Sequence, residues 1–228
     1  MQITLPTKPE VVTEEGTKGV FKIENLAPGY GHTLGNSLRR VILSSIPGVG
    51  VTLVKIDGVD HEFSTIDGVK EDVITILLNL KRVVFQLEGA DEVECKLTIK
   101  GDGNYSAKDI ECPSEVTVVS KDAPIMHVSD KKASFNVIFT VKKDIGYVAK
   151  EDLFEGKLPV GTLVMDASFT PIRRATYEVE NMRVGDRTDY NRILLSVETD
   201  GTLSPKEALD QSIEIMHSQV TALLGKEA

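Results

Sequence analysis

Tryptophan is absent from the 228 residues, and aromatic side chains make up only 5% of the chain. Stacking platforms for single-stranded nucleic acid, which need several exposed rings, are therefore not expected. Cysteine is scarce. Cys95 and Cys112 form no CxxC pair, so they read as free thiols of a reducing compartment and not as a disulfide or metal site. No run approaches the roughly 18 apolar residues of a membrane span. The opening MQITLPTKPE has no apolar core of the kind that marks a secretory signal. Positive charge is in deficit: 26 Lys and Arg stand against 35 Asp and Glu, a net charge of −9, which argues against the whole chain being a nucleic-acid binder. There is no GxSxG, Walker loop or HExxH. His32, His61, His127 and His217 lie far apart with no ligand spacing, and no carboxylate pair stands out for acid–base work. No catalytic residue, metal or cofactor is expected.

What is present is ordinary globular material, 41% hydrophobic and 27% charged, long enough for one large domain or two small ones. Its organising stretch is Tyr30–Gly50, YGHTLGNSLRRVILSSIPGVG. Glycines open it and Pro47-Gly48 closes it, which predicts a loop, a helix over 33–46 with Thr33 as N-cap, and a stop. Leu34, Leu38, Val41 and Ile42 fall on one stripe at helical spacing. Asn36, Arg39, Arg40 and Leu43 fall on the other side. An apolar side chain between two arginines reads either as a second contact surface or as a solvated face with one exposed leucine; the sharper reading is a helix with two partners.

In chain order, residues 1–17 are expected to be partly ordered at best, and GVFKIEN (19–25) to be a strand. VTLVKI, Asp57-Gly58 and VDHEF predict a hairpin. A helix is predicted from about Val69 to Arg82, with acidic residues at its start and basic ones at its end. From Val83 to Val148 the pattern is mostly strand, clearest in the alternation Val93/Cys95/Leu97/Ile99 and Phe135/Val137/Phe139/Val141. Residues 149–160 read as a loop. Further strand is interrupted at Pro171, and ILLSVET pairs with RATYEVENMRV across VGDRTDYN. The last element is a helix with Ser204 as N-cap, Pro205 first and Glu207 completing a capping box. Its stripe Leu209, Ile213, Met216, Val220 and Leu223 steps by heptad spacing. So long a stripe requires a partner, supplied by the helix at 33–46 and by symmetry in a dimer. The fold class is α+β in two subdomains. One, residues 1–47 with 172–228, has an antiparallel sheet and two long helices. The other, 48–171, is an inserted, mainly-β domain with one helix.

Gly29, Gly31 and Gly35, between a strand and a helix, imitate a dinucleotide loop, so a nucleotide-binding enzyme domain is the alternative function. The spacing is GxGxxxG and Asp57 falls in a turn, so the glycines read better as places where backbone passes close to a neighbour. Two cations, Arg39 and Arg40, are too few for DNA binding.

The stretches YGHTLGNSLRRVILSSIPG, IDGVDHEFSTIDGVKEDVITILLNLK and MDASFTPIRRATYEVENMRVGDRTDYNR resemble, over nearly the whole chain, the amino-terminal domain of the bacterial and plastid RNA polymerase alpha subunit. The resemblance implies a cytoplasmic, nucleoid-associated homodimer that recruits the beta and then the beta-prime subunit of a nucleotidyltransferase, with no active site of its own. It implies beta contacts at Gly35, Asn36, Arg39, Arg40, Leu43, Glu62, Ser64 and Thr65. It implies contacts with beta or beta-prime at Arg173, Arg174, Glu178, Arg183, Arg187 and Asp189. Its dimer interface falls on Leu34, Leu38, Val41, Ile42, Leu209, Ile213, Met216, Val220 and Leu223. This sequence departs from the family pattern at Ala27-Pro28, where a charged residue is usual, at Asn191, where an aspartate is usual, and at KKDIGY, a loose version of a basic glycine-rich turn. Family members continue through a linker into a carboxy-terminal domain that binds promoter DNA and activators. This chain stops at Ala228, near that linker, so it reads as a truncated form with no membrane association and no direct DNA binding.

Overall fold

The computed structural model describes residues 4–153 and 159–225, an α+β chain. It divides into two compact units, residues 1–46 with 170–228 and residues 47–169.

The first unit begins with β1 (Glu10–Glu15), β2 (Lys18–Leu26) and α1 (Tyr30–Ser44). The second holds β3 (Pro47–Ile56), α2 (Val73–Lys81), β4 (Phe85–Leu87), β5 (Glu92–Lys100), β6 (Gly103–Ser106), β7 (Ile110–Glu111), β8 (Val116–Val118), β9 (Pro124–Val128), β10 (Ser134–Ile145), β11 (Tyr147–Val148), β12 (Thr162–Val164) and β13 (Ala167–Ser168). The chain returns to the first unit with β14 (Ile172–Val184), β15 (Arg187–Thr199) and α3 (Pro205–Leu223).

In the first unit an antiparallel sheet runs in the order β1-β2-β15-β14. Alternation fixes its inner face: Ile193, Leu195 and Val197 on β15 and Phe21 and Ile23 on β2 are buried together with Leu38, Ile42, Ala208 and Leu209 of the two helices. In the second unit the main sheet runs β12-β3-β10-β5-β7. Its core joins Val54, Leu97, Val137 and Phe139 to Val73, Ile76, Leu77 and Leu80 of α2.

Several local expectations change. Residues 10–15 are a strand, because β2 offers an unpaired edge that β1 satisfies, although β1 is exposed on both faces. VDHEF is not the second arm of a hairpin: β3 is already paired on both sides, by β10 and β12, so no edge is free for it. Gly58 still turns the chain at φ 78°, and the Asp57 carboxylate accepts from the backbone and side-chain amides of Asn136 at 3.0 and 2.9 Å. The helix predicted over 69–82 starts at Val73, because Asp72 caps it by accepting from the Thr75 amide at 2.8 Å. Val69 instead bridges to Val128. β14 and β15 run on through VGDRTDYN and turn only at Gly185–Asp186, where Gly185 takes φ 61°. Of the loop expected at 149–160, residues 154–158 lie outside the described residues.

Candidate functional site

α1 begins at Tyr30, earlier than the sequence indicates, and Thr33 is not its cap. The residue before the helix is Gly29, in the left-handed region at φ 84°, with no side chain to offer. The cap comes from the sheet. Asn191 of β15, nearly buried, points its Oδ1 at the helix start and accepts from the amides of Gly29 (2.9 Å) and Gly31 (3.3 Å). Its Nδ2 donates to Asn181 Oδ1 at 3.3 Å. Two of the helix's orphan donors are satisfied across 160 or more residues of sequence. Removing the side chain leaves both amides facing a covered space, so Asn191→Ala should lower stability by about 1–3 kcal/mol. A shifted urea midpoint checks this.

The glycines are where α1 meets the sheet. A Cβ on Gly31 would stand 2.6 Å from Val179 Cγ1, and one on Gly35 would stand 2.6 Å from Tyr177 Cδ2. The helix therefore lies directly on β14, and the loop's amides and spaces are filled by the protein's own side chains. That packing does not favour the nucleotide-binding alternative. It also moves Gly35 off the free face and into the packed one.

The opposite face of α1 is open. Arg40 and Leu43, one turn apart, are both exposed, and the Arg40 guanidinium has no hydrogen-bond or ion-pair partner among the described residues. Arg39 is different: its Nη2 donates to Asn36 Oδ1 at 3.1 Å and its Nε is buried without a partner.

α3 carries the predicted capping box, Glu207 N donating to Ser204 Oγ at 3.2 Å and Ser204 N to Glu207 Oε2 at 2.8 Å. Along its stripe, cover runs out. Leu209 is buried and Met216 half-buried, whereas Ile213, Val220 and Leu223 are exposed, the last two at 57% and 87%. An apolar hollow of about 240 Å³ lies beside them, lined by Pro6, Ile23, Leu34, Leu38, Ile213 and Met216. Of the expected interface residues on α1, Leu38 and Ile42 are buried in the core of their own unit, while Leu34 and Val41 are half-covered.

In the second unit the segment after β3 is irregular. Glu62 accepts from Lys150 Nζ at 3.0 Å, Ser64 Oγ pairs with His61 Nδ1 at 3.1 Å, and Thr65 is exposed. On β14, Arg173 and Arg174 are both exposed although strand alternation would turn one inward. A register shift between Ile172 and Arg174 allows it. Glu178 is exposed on the same strand, and Arg183 Nε donates to Gly185 O at 2.8 Å. Arg187 grips Asp189 with two bonds, 3.0 and 2.6 Å, and stands 5.5 Å over the Tyr190 ring.

A family model described as the RNA polymerase Rpb3/RpoA insert domain matches residues 54–170. Among characterised relatives, the DNA-directed RNA polymerase subunit alpha of Roseiflexus castenholzii is 44% identical over 224 residues, covering 97% of this chain and 68% of its own length. The same subunit of Alkaliphilus oremlandii is 43% identical, covering 95% and 69%, and that of Carboxydothermus hydrogenoformans 42%, covering 97% and 72%. The chain belongs to the RNA polymerase alpha-subunit family.

As an alpha-family chain it puts its expected site residues on distinct surfaces of each unit. In the first unit, Arg40 and Leu43 share the open face of α1, the α3 stripe runs beside α1, and the basic and acidic residues cluster on β14 and at the hairpin tip. Glu62, Ser64 and Thr65 belong to the second unit. Two residues escaped the sequence reading. Asn191, in sequence only a departure from the family pattern, caps α1. Phe63, between Glu62 and Ser64, is 76% exposed, and an aromatic inside so polar a segment was the signal for it. Among the described residues no group of His, Cys, Asp or Glu could hold a metal ion, and no helix is long and apolar enough to cross a membrane.

The Asp189 carboxyl is held below its ordinary range, chiefly by the Arg187 hydrogen bonds, and Arg187 is raised in turn. A depressed carboxylate pKa means that the pair's contribution is complete above the ordinary value of about 4 and is lost as pH falls through the folded value. The hairpin tip should thus be insensitive to pH from about 5 upward and loosen only below. Asp189→Asn should lose that acid transition, which amide chemical shifts at the tip would follow.

Proposed function

We propose that this chain is the dimeric platform on which RNA polymerase is assembled. It homodimerises through α1 and α3, captures the beta subunit with the open face of α1 and the segment around Glu62–Thr65, and engages beta and beta-prime through β14 and the hairpin tip. It has no catalytic residue of its own in this reading. The assembled polymerase supplies the nucleotidyl transfer.

The observation that carries the reading is the α3 stripe. Val220, Leu223 and Leu224 stay uncovered on a helix whose first turns are firmly packed. Burying each such side chain is worth about 1.5–3 kcal/mol, enough together to favour association over solvent exposure. A second copy provides a matching stripe by symmetry. Arg40, exposed beside Leu43 and without a side-chain partner among the described residues, supplies what a hetero-interface selects, a planar five-donor fork next to an apolar contact.

The test is stepwise. The chain alone should sediment as a dimer, and adding purified beta should give a complex of two copies with one beta. Beta-prime should join only after beta. A chain that stays monomeric at micromolar concentration and does not retain beta would overturn the reading.

A further inference from the structure

We propose that Cys95 and Cys112 form a reversible cross-strand disulfide site, closed by low-molecular-weight disulfides and reopened by thiols. The register places them. β5 and β7 are antiparallel, with Leu97 opposite Ile110 and Lys96 opposite Glu111. β7 ends at Glu111, and Cys112 is the next residue, so continuing the same register by one step brings it level with Cys95. Directly opposed residues of an antiparallel pair share one face, with Cα atoms about 4.5–5.5 Å apart. A disulfide spans roughly 4.4–6.8 Å between Cα atoms, a range that covers directly opposed residues of such a pair.

The two thiols are free and differ in environment. Cys95 is buried, with Phe139 of β10 opposite it on the other side, while Cys112 is only half-buried. The facing Cys95 thiol lowers Cys112, and the Cys112 sulfur together with burial raises Cys95. Cys112, the one a small disulfide can reach, is the attacking sulfur, and buried Cys95 is the resolving one. The Cys112 thiolate attacks one sulfur of a small disulfide. The old S–S bond breaks, and the departing thiolate takes up the proton Cys112 gave away. Cys95 then loses its proton, attacks the Cys112 sulfur of the mixed disulfide, and expels the second small thiol. Two cysteine thiols are oxidised by two electrons, and the small disulfide is reduced to two thiols.

The bond would fasten a lightly held edge. β7 is only two residues long and is the last strand of its sheet. The closed segment also contains β6 and the 3-10 turn Ala107–Asp109, whose capping box joins Ser106 and Asp109. Closing such a loop restricts the opened state more than the closed one.

The experiment is to incubate the reduced, folded chain with glutathione disulfide, quench in acid and map the peptides. The expected result is a fall from two free thiols per chain to none, a Cys95–Cys112 linked peptide, and full reversal by dithiothreitol. Exchange of the Ile110 and Glu111 amides should slow by at least about tenfold in the oxidised form. Cys112→Ser should abolish the reaction, and Cys95→Ala should stop at a glutathione adduct on Cys112. If Cys95→Ala does not fold, the wild-type map decides alone. A folded wild-type chain that keeps both thiols, or carries glutathione on Cys112 without the internal link, overturns the proposal.

Discussion

Val220→Glu is expected to convert the proposed dimer into folded monomers. Val220 is more than half exposed in the single chain, so its own unit does not depend on it. A carboxylate there is well solvated in the monomer and must be dehydrated in the dimer, against the apolar stripe of the second copy. Symmetry places the charge twice in one interface. At roughly 2 kcal/mol for each buried carboxylate, dissociation should become about a thousandfold easier. Sedimentation over a concentration series reads this directly, and circular dichroism should be unchanged. A Val220→Glu chain with wild-type dimer affinity would remove α3 from the interface. Leu38→Glu is not an equivalent test. Leu38 is 2% exposed within the core of the first unit, so a charge there should unfold the chain before it reports on association.

Arg40→Ala should give the complementary result, an intact dimer that no longer holds beta. The side chain touches no hydrogen-bond partner among the described residues and is exposed, so stability should move by about 0.5 kcal/mol or less. At an interface centre, loss of an arginine fork commonly costs 2 kcal/mol or more, roughly a thirtyfold weakening. Lysine at 40 should restore only part of it, because a point charge cannot make the paired bonds of a guanidinium. Arg39→Ala should matter less for capture, since that side chain is half-covered and already engaged with Asn36. Affinity of the dimer for immobilised beta decides the matter. Wild-type capture by Arg40→Ala would place the interface elsewhere.

The sequence by itself determined the elements whose signals are local. The capping box of α3, the alternation along β10 and β15 and the apolar stripe of α1 each depend on residues within a few positions of one another. The motifs at 30–48 and 165–192 were long enough to carry the family resemblance. Tertiary structure alone decided what depended on partners distant in the chain. VDHEF had the composition of a strand but no edge to join, because β10 and β12 had taken both sides of β3. β1 lacked an amphipathic pattern but found an unpaired neighbour in β2. The cap of α1 could not be found near the helix, because the acceptor for Gly29 and Gly31 comes from Asn191, across the sheet. Gly35 reads in sequence as part of a contact motif, and only the Tyr177 ring against it shows that this side of the helix is closed. Periodicity tells which face of a helix is apolar. How much of that face its own chain covers is set by the neighbours' positions, and that separates buried Leu209 from exposed Leu223 on one stripe.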